Sequence, residues 1–395
     1  MRSKRLLARA ECLALLLFAS FLSAPALTQG HKPNFYDLTT VRNRTWAKDT
    51  WAEVRVGGLM NLPESENKAR FTTEETLPFG SVYYRQRSAF GQESRLDGYV
   101  GVDGIYGSIT EGDPAKDARY SRIEFEAKQW ASYHREGFYD GDDFVPTAIY
   151  ERNYWKGRLS FAMQFTESIK GEAGPFFGQN RFDRNKQTPS GYKLPDGHNA
   201  YGFHFRAEDN TLQYDPRTLL PMAGYIATIW GEREWNDSSG DLGFGGRLRE
   251  LPKSLWRAGA HLELYVPYTH TGAFIFQADG GWCAEDDYLY MHDAGKPIGE
   301  IWVDLRLDYR QLFGSFLSVT PGIRGQWVRL HDEFFGKSKN KFFFGFQLEA
   351  RVDFSESWGI SAEYSYLQNA SREAFSVDED KLGEHRVFVG VEFRP

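Results

Sequence analysis

Residues 341–354 read KFFFGFQLEARVDF, and their side chains follow a strict two-residue period. One alternate row is apolar throughout and comprises Phe342, Phe344, Phe346, Leu348, Ala350, Val352 and Phe354. The other row becomes polar and contains Glu349, Arg351 and Asp353. Because successive side chains of a β-strand point to opposite faces, this pattern predicts a strand with one apolar face and one charged face.

The length of this segment favours a strand that crosses a membrane. Strands of soluble proteins usually have about 5–6 residues. At about 3.3 Å per residue, residues 342–354 would extend roughly 40 Å. A tilt of about 40° would reduce this to a rise of roughly 30 Å, close to the apolar band of an outer-membrane barrel with its aromatic girdle. Turning the strand over would place an arginine in lipid at a cost of about 2–4 kcal/mol near the midplane, so we expect the charged row to face inward.

Similar alternation recurs along the chain and predicts one all-β unit. It is clear in residues 301–310, 317–327, 358–366 and 387–393, and weaker in 52–60, 96–106, 123–130, 159–165, 203–207, 223–230, 242–248 and 260–266. Tight connections at 314–315 and 355–357 alternate with longer polar ones at 331–341 and 368–384, as in outer-membrane barrels. We predict an antiparallel transmembrane β-barrel of about 16 strands, within a range of roughly 14–18.

Composition and the amino terminus narrow the class of protein. The chain has 395 residues, of which 16% are aromatic, and a net charge of −7. The aromatic content argues against disorder, and the negative charge argues against a nucleic-acid partner. Residues 1–26 show the charged, apolar and small-residue order of a cleaved signal peptide, so we expect export. A polar amino-terminal segment, 27–50, then precedes the barrel, 51–395.

The chain resembles Gram-negative bacterial outer-membrane β-barrel proteins in its signal peptide, its two-residue repeats, its aromatic strand ends and its final strand, 387–393. In that class, a closing strand that ends in an aromatic residue is a recognition signal for the barrel-assembly machinery. The resemblance therefore implies an outer-membrane location, contact with outer-membrane lipid and that machinery as a partner. This chain departs from the pattern because Arg394 and Pro395 follow Phe393.

The charged rows are the candidate functional site. We predict that they line a hydrated lumen that selects small polar solutes, as charged rings do in other pores. The pore-lining candidates are Glu300, Asp304, Arg306, Asp308, Arg310, Arg324, Gln326, Glu349, Arg351, Asp353 and Glu363. A salt-bridged interior that closes the barrel is the alternative, and strand number separates the two, because about 8 strands leave room only for side chains.

Other features give weaker hypotheses. The stretch 170–200 contains three prolines and could be a constriction loop or a solvated loop. Acidic residues at 140–143 and 285–287 could offer oxygen ligands to calcium, but without the spacing of a complete calcium loop. We interpret seven tryptophans as interfacial girdle residues, as is usual in membrane barrels: Trp51, Trp130, Trp155, Trp230, Trp256, Trp327 and Trp358.

Three rival functions stay open at this point. An enzyme acting on envelope lipid or glycan would need a catalytic cluster, for which His204, His261 and Glu263 fall on the inward row. No nucleophile elbow, zinc-helix motif or phosphate loop is present in the sequence, so we predict no catalytic residue, metal site or cofactor. The second rival is a structural or adhesive barrel with a plugged interior. The third is a soluble β-sandwich.

Overall fold

A computed structural model of the protein describes most of the carboxy-terminal seven-eighths of the chain. The described residues are 50–61, 76–90, 94–101, 104–112, 119–128, 133–140, 143–184, 188, 190–215, 218, 220–244, 247–283, 301–332, 337–367 and 384–393. The predicted signal peptide and most of the polar segment 27–50 lie outside these residues. Within them, no helix is long and apolar enough to span a membrane.

Sixteen strands of the described chain form a closed antiparallel barrel. These wall strands are β1 (Thr50–Asn61), β2 (Thr76–Arg87), β3 (Ser94–Gly101), β4 (Gly104–Glu111), β5 (Arg119–Lys128), β7 (Asp143–Gln164), β8 (Ile169–Arg184), β10 (His198–Asn210), β12 (Pro221–Asn236), β15 (Ser254–Thr269), β16 (Gly272–Cys283), β17 (Ile301–Phe313), β18 (Leu317–Asp332), β19 (Lys337–Asp353), β20 (Trp358–Leu367) and β21 (Glu384–Phe393). Each pairs with its neighbour, and β1 closes the barrel by pairing with β21 from Ala52↔Phe393 to Asn61↔Glu384. The predicted fold class is therefore confirmed, and the soluble sandwich is wrong.

Five shorter strands lie outside this wall. β6 (Tyr133–Asp140) pairs with the first half of β7, beyond the end of β5. β11 (Gln213–Tyr214) pairs with the start of β12. β9 (Tyr192–Lys193), β13 (Asp241–Phe244) and β14 (Arg247–Glu250) form a separate small sheet. The segment 242–248, predicted as a wall strand, is thus part of a hairpin that stands between β12 and β15.

The two-residue period of the sequence reappears as alternating exposure. On β19, Phe344 and Leu348 are almost half exposed, whereas Phe343, Gln347 and Arg351 on the opposite face are buried. In a closed barrel the exposed apolar row is the outer surface, and the buried polar row points inward. The predicted orientation of this strand is what the structure has.

The longest connections lie at one end of the barrel. At the end where β1 begins and β21 finishes, neighbouring strands are joined by residues such as 165–168, 270–271, 314–316 and 354–357. The opposite end carries connections 62–75, 237–253, 284–300 and 368–383. In outer-membrane barrels the short turns are on the periplasmic side and the long loops are outside, and the second end matches the side of the long loops. At that end, hydrogen bonds from Asn199 lower the pKa of the Asp237 carboxyl.

Two loop predictions are wrong. Residues 170–184, about half of the proposed loop 170–200, belong to strand β8, and the connection that follows it is only 185–197. Pro175 is tolerated because the β7–β8 ladder has no pair opposite Gly174 or Pro175, so the missing proline N–H costs no bond to β7. A Cβ at Gly174 would overlap the Leu159 carbonyl oxygen, which explains the glycine there. The second wrong loop prediction is 331–341. Strand β18 continues to Asp332 and β19 begins at Lys337, so most of this segment is strand.

Candidate functional site

The inward face of the barrel is the candidate site, and its charged residues contact one another across strands. On β17, Asp304, Asp308 and Arg310 are buried, while Leu305 and Leu307 between them are exposed on the outside. The register pairs Asp304 with Gln326 and Arg306 with Arg324 of β18. The predicted inward row of β17 therefore faces the interior from Asp304 to Arg310.

Asp304 is held by side chains of the neighbouring strand β18. Arg324 donates hydrogen bonds from Nε to Asp304 Oδ1 at 2.9 Å and from Nη2 to Oδ2. Gln326 Nε2 donates to the same Oδ2 at 3.2 Å. Both carboxylate oxygens of Asp304 thus accept hydrogen bonds, and two of the donor groups belong to the guanidinium of Arg324. Such two-pronged pairing is the geometry in which arginine binds carboxylates best.

The residues around Asp308 form the next part of the same row. Gln347 Nε2 donates to Asp308 Oδ2 at 2.9 Å, and Arg306 Nη2 lies 3.5 Å from that oxygen. Arg310 Nη1 donates to the carbonyl oxygen of Pro221 at 2.9 Å. Pro221 begins β12, and only β15 and β16 lie between β12 and β17, so the Arg310 side chain reaches past two neighbouring strands on the inner face.

A second group of charges crosses the seam where the barrel closes. Arg351 Nη2 lies 2.9 Å from Glu392 Oε2 and 3.3 Å from Asp353 Oδ1. Arg55 Nη2 of β1 donates to Glu363 Oε2 of β20 at 3.0 Å, passing over β21. The residue of β21 opposite Arg55 is Gly390, where a Cβ would lie 2.6 Å from Glu53 Oε1 and 3.3 Å from Arg55 Cγ. The absence of a side chain at Gly390 lets this ion pair span two strands.

A third group, on β2, β3 and β4, was not among the predicted site residues. Asp97 is 1% exposed and accepts hydrogen bonds from Tyr83 Oη and Arg85 Nε, both at 2.7 Å. Arg95 Nε donates to its other oxygen at 2.8 Å. We call these residues the Asp97 cluster. In 94–101, Arg95 and Asp97 alternate with Leu96, Gly98 and Val100, and that alternation is the sequence signal that could have placed these two residues inside.

The interior also contains a cavity of about 280 Å³, lined by residues of β5, β7, β8, β10, β12, β15 and β17. Glu232 is central to its charged lining, because Lys156 Nζ lies 2.7 Å and Arg257 Nη1 2.5 Å from its Oε1. Arg158 Nη2 lies 3.2 Å from Glu126 Oε1 and 3.8 Å from Glu232 Oε2. Acidic and basic groups therefore line the same cavity. None of these residues was predicted, because the alternation is weak in these strands.

The histidines of the inward row have polar partners, but the described residues do not assemble a catalytic triad around them. His204 Nε2 is 2.9 Å from Ser160 Oγ, and Ser160 is fully buried. His261 Nδ1 is 3.0 Å from Asp279 Oδ1, and its Nε2 is 3.6 Å from Glu263 Oε2. In the ranges that the structure covers, no group of three or more histidine, cysteine or acidic residues could hold a metal ion.

The predicted site residues can now be placed. Ten of the eleven lie on inward rows in the described strands: Asp304, Arg306, Asp308, Arg310, Arg324, Gln326, Glu349, Arg351, Asp353 and Glu363. Glu300 lies outside the described residues, as do the acidic residues at 285–287 and part of 140–143. The structure brings the ten residues together on neighbouring strands β17–β20.

The tryptophan interpretation is partly wrong. Trp155, Trp256 and Trp358 lie on outer rows as expected of girdle residues. Trp51 is 1% exposed and packs inside against Tyr83, with ring centroids 4.8 Å apart. Trp230 shares the inward row of Glu232 and borders the cavity. Trp130 lies outside the described residues. An aromatic side chain fits either face of a barrel, so its residue type alone did not indicate which.

Comparisons with solved structures agree with the fold. CdiB from Acinetobacter baumannii is similar with a TM-score of 0.53 and 10% sequence identity, over 88% of this chain and 60% of that one. BamA from Haemophilus ducreyi, in a structure lacking POTRA domains 1–3, is similar with a TM-score of 0.50 and 12% identity, over 87% of this chain and 70% of that one. The chain thus spans less than two thirds of the length of that CdiB.

These structural neighbours are outer-membrane β-barrel proteins, and the present chain has their architecture. No protein-family model matches the sequence, and no curated protein matches it significantly. At such low identity the likeness concerns the fold alone. The function must therefore be argued from the chain's own residues.

Proposed function

We propose that the protein is a narrow outer-membrane channel that passes small polar or ionic solutes through a charged lumen. The observation that carries this proposal is the cavity of about 280 Å³ inside a closed sixteen-strand barrel. Acidic and basic side chains that form ion pairs line this cavity. Barrels of about 16 strands are wide enough to leave an aqueous channel. Acids and bases held at fixed positions around such a space filter solutes by charge.

The ion pairs also make this channel narrower than a general porin. The inward carboxylates Asp97, Asp304 and Glu392 are each less than a tenth exposed, because partner side chains cover them. A solute must therefore pass between paired side chains rather than through a wide aqueous bore. This favours small ions and small zwitterions, whose charges can replace one partner of a pair as they pass.

Bilayer recordings test the proposal directly. The full-length barrel, reconstituted in planar bilayers, should conduct in potassium chloride, and Glu232→Gln should move the reversal potential in a salt gradient toward anion preference. That variant removes the negative charge between Lys156 and Arg257. Arg257→Gln should move the potential the opposite way. Asp183→Asn, on the outer row of β8, is the control and should leave selectivity unchanged.

Heat-modifiable gel mobility must first show that each variant is folded. Absence of current across a range of salts and voltages in folded wild type would contradict the channel and favour a closed, structural interior. Current whose selectivity is the same in all three variants would contradict the role of the cavity charges.

The same proposal includes the export and assembly of the protein. We propose that residues 1–26 are removed on export and that residues 51–395 are inserted by the barrel-assembly machinery into outer-membrane lipid. The charged, apolar and small-residue order of 1–26 and the amphipathic closing strand β21 support this. Amino-terminal sequencing of protein from the outer-membrane fraction would contradict it if Met1 were retained.

A further inference from the structure

An arginine of β12, Arg233, is on the outer face of the barrel, unlike the inward charges described above. Arg233 of β12 lies between Glu232 and Glu234, both of which are buried on the inward face. Its neighbours in register are Phe203 on β10 and Trp256 on β15, which are 60% and 47% exposed. The Arg233 side chain therefore belongs to an outer row of otherwise apolar and aromatic residues.

The position of Arg233 along its strand sets its depth in the membrane. It is three residues from Asn236, where β12 finishes at the end of the barrel that carries the long loops. An outward arginine costs about 2–4 kcal/mol at the bilayer midplane but only about 0–1 kcal/mol near an interface. Trp235 and Trp256 flank it, and tryptophans concentrate at the level of the lipid headgroups. Arg233 thus lies at the headgroup level of the outer leaflet.

The contacts of Arg233 hold its guanidinium without neutralising it. Its Cζ lies 5.4 Å from the ring centroid of Trp235 and 5.0 Å from that of Trp256. Its Nη2 donates a hydrogen bond to Ser254 Oγ at 2.5 Å. Among the side chains that the structure describes, no carboxylate lies within ion-pair distance of it. A guanidinium has five N–H donors, so several stay available to an anion from outside the protein.

The rows below Arg233 fit an acyl chain. The next outer row toward the membrane interior is Phe205, Gly231 and Ala258 in register. The Phe205 ring lies over Gly231, where a Cβ would contact it. Phe205 is 47% exposed and Ile229, one row further, is 56% exposed. The Phe205 ring thus covers Gly231, and together with Ile229 it presents an apolar surface below the cation, against which the acyl chain of a lipid can lie.

We propose that Arg233, clamped by Trp235 and Trp256, binds the phosphate of a lipid A molecule in the outer leaflet. The guanidinium supplies charge-assisted hydrogen bonds to the phosphate oxygens, which are the stronger kind of hydrogen bond. The two indole rings hold the cation in place before the lipid arrives. The exposed apolar side chains Phe205 and Ile229 then contact an acyl chain of the same lipid. This binding does not depend on whether the barrel conducts solutes.

Native mass spectrometry of the folded full-length barrel tests the proposal with defined lipids. Wild type should retain bisphosphorylated lipid A in preference to dephosphorylated lipid A and to phosphatidylglycerol. Arg233→Gln should lower the retained fraction of lipid A about tenfold, the effect of losing one charge-assisted contact of roughly 1.4 kcal/mol. Trp256→Leu, which keeps an apolar surface but removes half of the clamp, should lower it less.

Arg181→Gln is the matched control. Arg181 is also exposed on an outer row near the same end, but its Nε is paired with Asp183 Oδ1 at 3.2 Å. This variant should retain lipid A as wild type does. Equal retention in Arg233→Gln and wild type, equal retention of phosphatidylglycerol, or displacement of lipid A by millimolar inorganic phosphate would each overturn the proposal. Heat-modifiable mobility confirms that the variants compared are folded.

Discussion

At the scale of single residues, the Asp97 cluster shows how a charge is kept inside the barrel. Asp97 accepts hydrogen bonds from Tyr83, Arg85 and Arg95, and Arg85 itself is only 2% exposed. Burying a carboxylate or a guanidinium alone costs several kcal/mol, so each depends on the other. A substitution at one of these positions therefore acts mainly through the charge left behind.

We predict that Asp97→Asn lowers the free energy of unfolding by about 3–5 kcal/mol, because Arg85 and Arg95 lose this carboxylate in a buried place. Denaturant titration of the refolded barrel, followed by tryptophan fluorescence, measures the change. Asp183→Asn is the control: its partner Arg181 is exposed, and a surface pair contributes only about 0–1 kcal/mol. Equal losses in the two variants would mean that burial does not control the strength of these pairs.

At the scale of single strands, the apolar row of β19 determines which face meets lipid. Leu348 is the middle member of the row from Phe342 to Phe354 and is 46% exposed. We predict that Leu348→Arg destabilises the barrel by about 2–4 kcal/mol, because it places a charge near the membrane midplane. Folding titrations into lipid vesicles would measure it.

Phe354→Arg is the depth control for that prediction. Phe354 lies in the turn that follows β19 and is 65% exposed. An arginine at this interface should cost about 0–1 kcal/mol. If the two variants lost the same stability, or if Leu348→Arg lost none, the outer row of β19 would not be in contact with lipid.

Strand faces could be predicted from the sequence only where the two rows differ in chemistry. In β17 and β19 one row is apolar and the other charged, so the inward residues Asp304 and Arg351 were placed correctly. In β8 the outer row contains Pro175 and the inner row contains Gly174, and both residues are typical of loops. The interruption of the β7–β8 ladder at this point is a tertiary feature, so nothing in the local pattern revealed the strand.

At the scale of the whole molecule, the closure of the barrel and the register of its strands determine which inward charges pair. Neither can be predicted from the pattern within a single strand. Arg55 and Glu363 belong to opposite ends of the chain, and they meet only because β1 pairs with β21. The cavity around Glu232 is likewise lined by residues of seven strands, which closure and register bring together. The strand number could be estimated to within a few strands, but the grouping of charges within the barrel could not.

Closure itself can be tested by a covalent bond across the seam. Val54 of β1 lies opposite Val391 of β21, on the outer face. In a Cys12→Ser, Cys283→Ser background, we predict that Val54→Cys with Val391→Cys forms a disulfide on mild oxidation, since opposed residues of antiparallel strands have Cα atoms about 4.5–5.5 Å apart. Peptide mass spectrometry identifies the cross-link.

Val54→Cys with Val387→Cys is the shifted control: Val387 pairs with Gly58, so its Cα lies roughly 13 Å along the strand from the position opposite Val54, beyond disulfide reach. Efficient cross-linking of the shifted pair, or of neither pair in folded protein, would mean that β1 and β21 do not meet in this register, and the ion pair between Arg55 and Glu363 could not form as described.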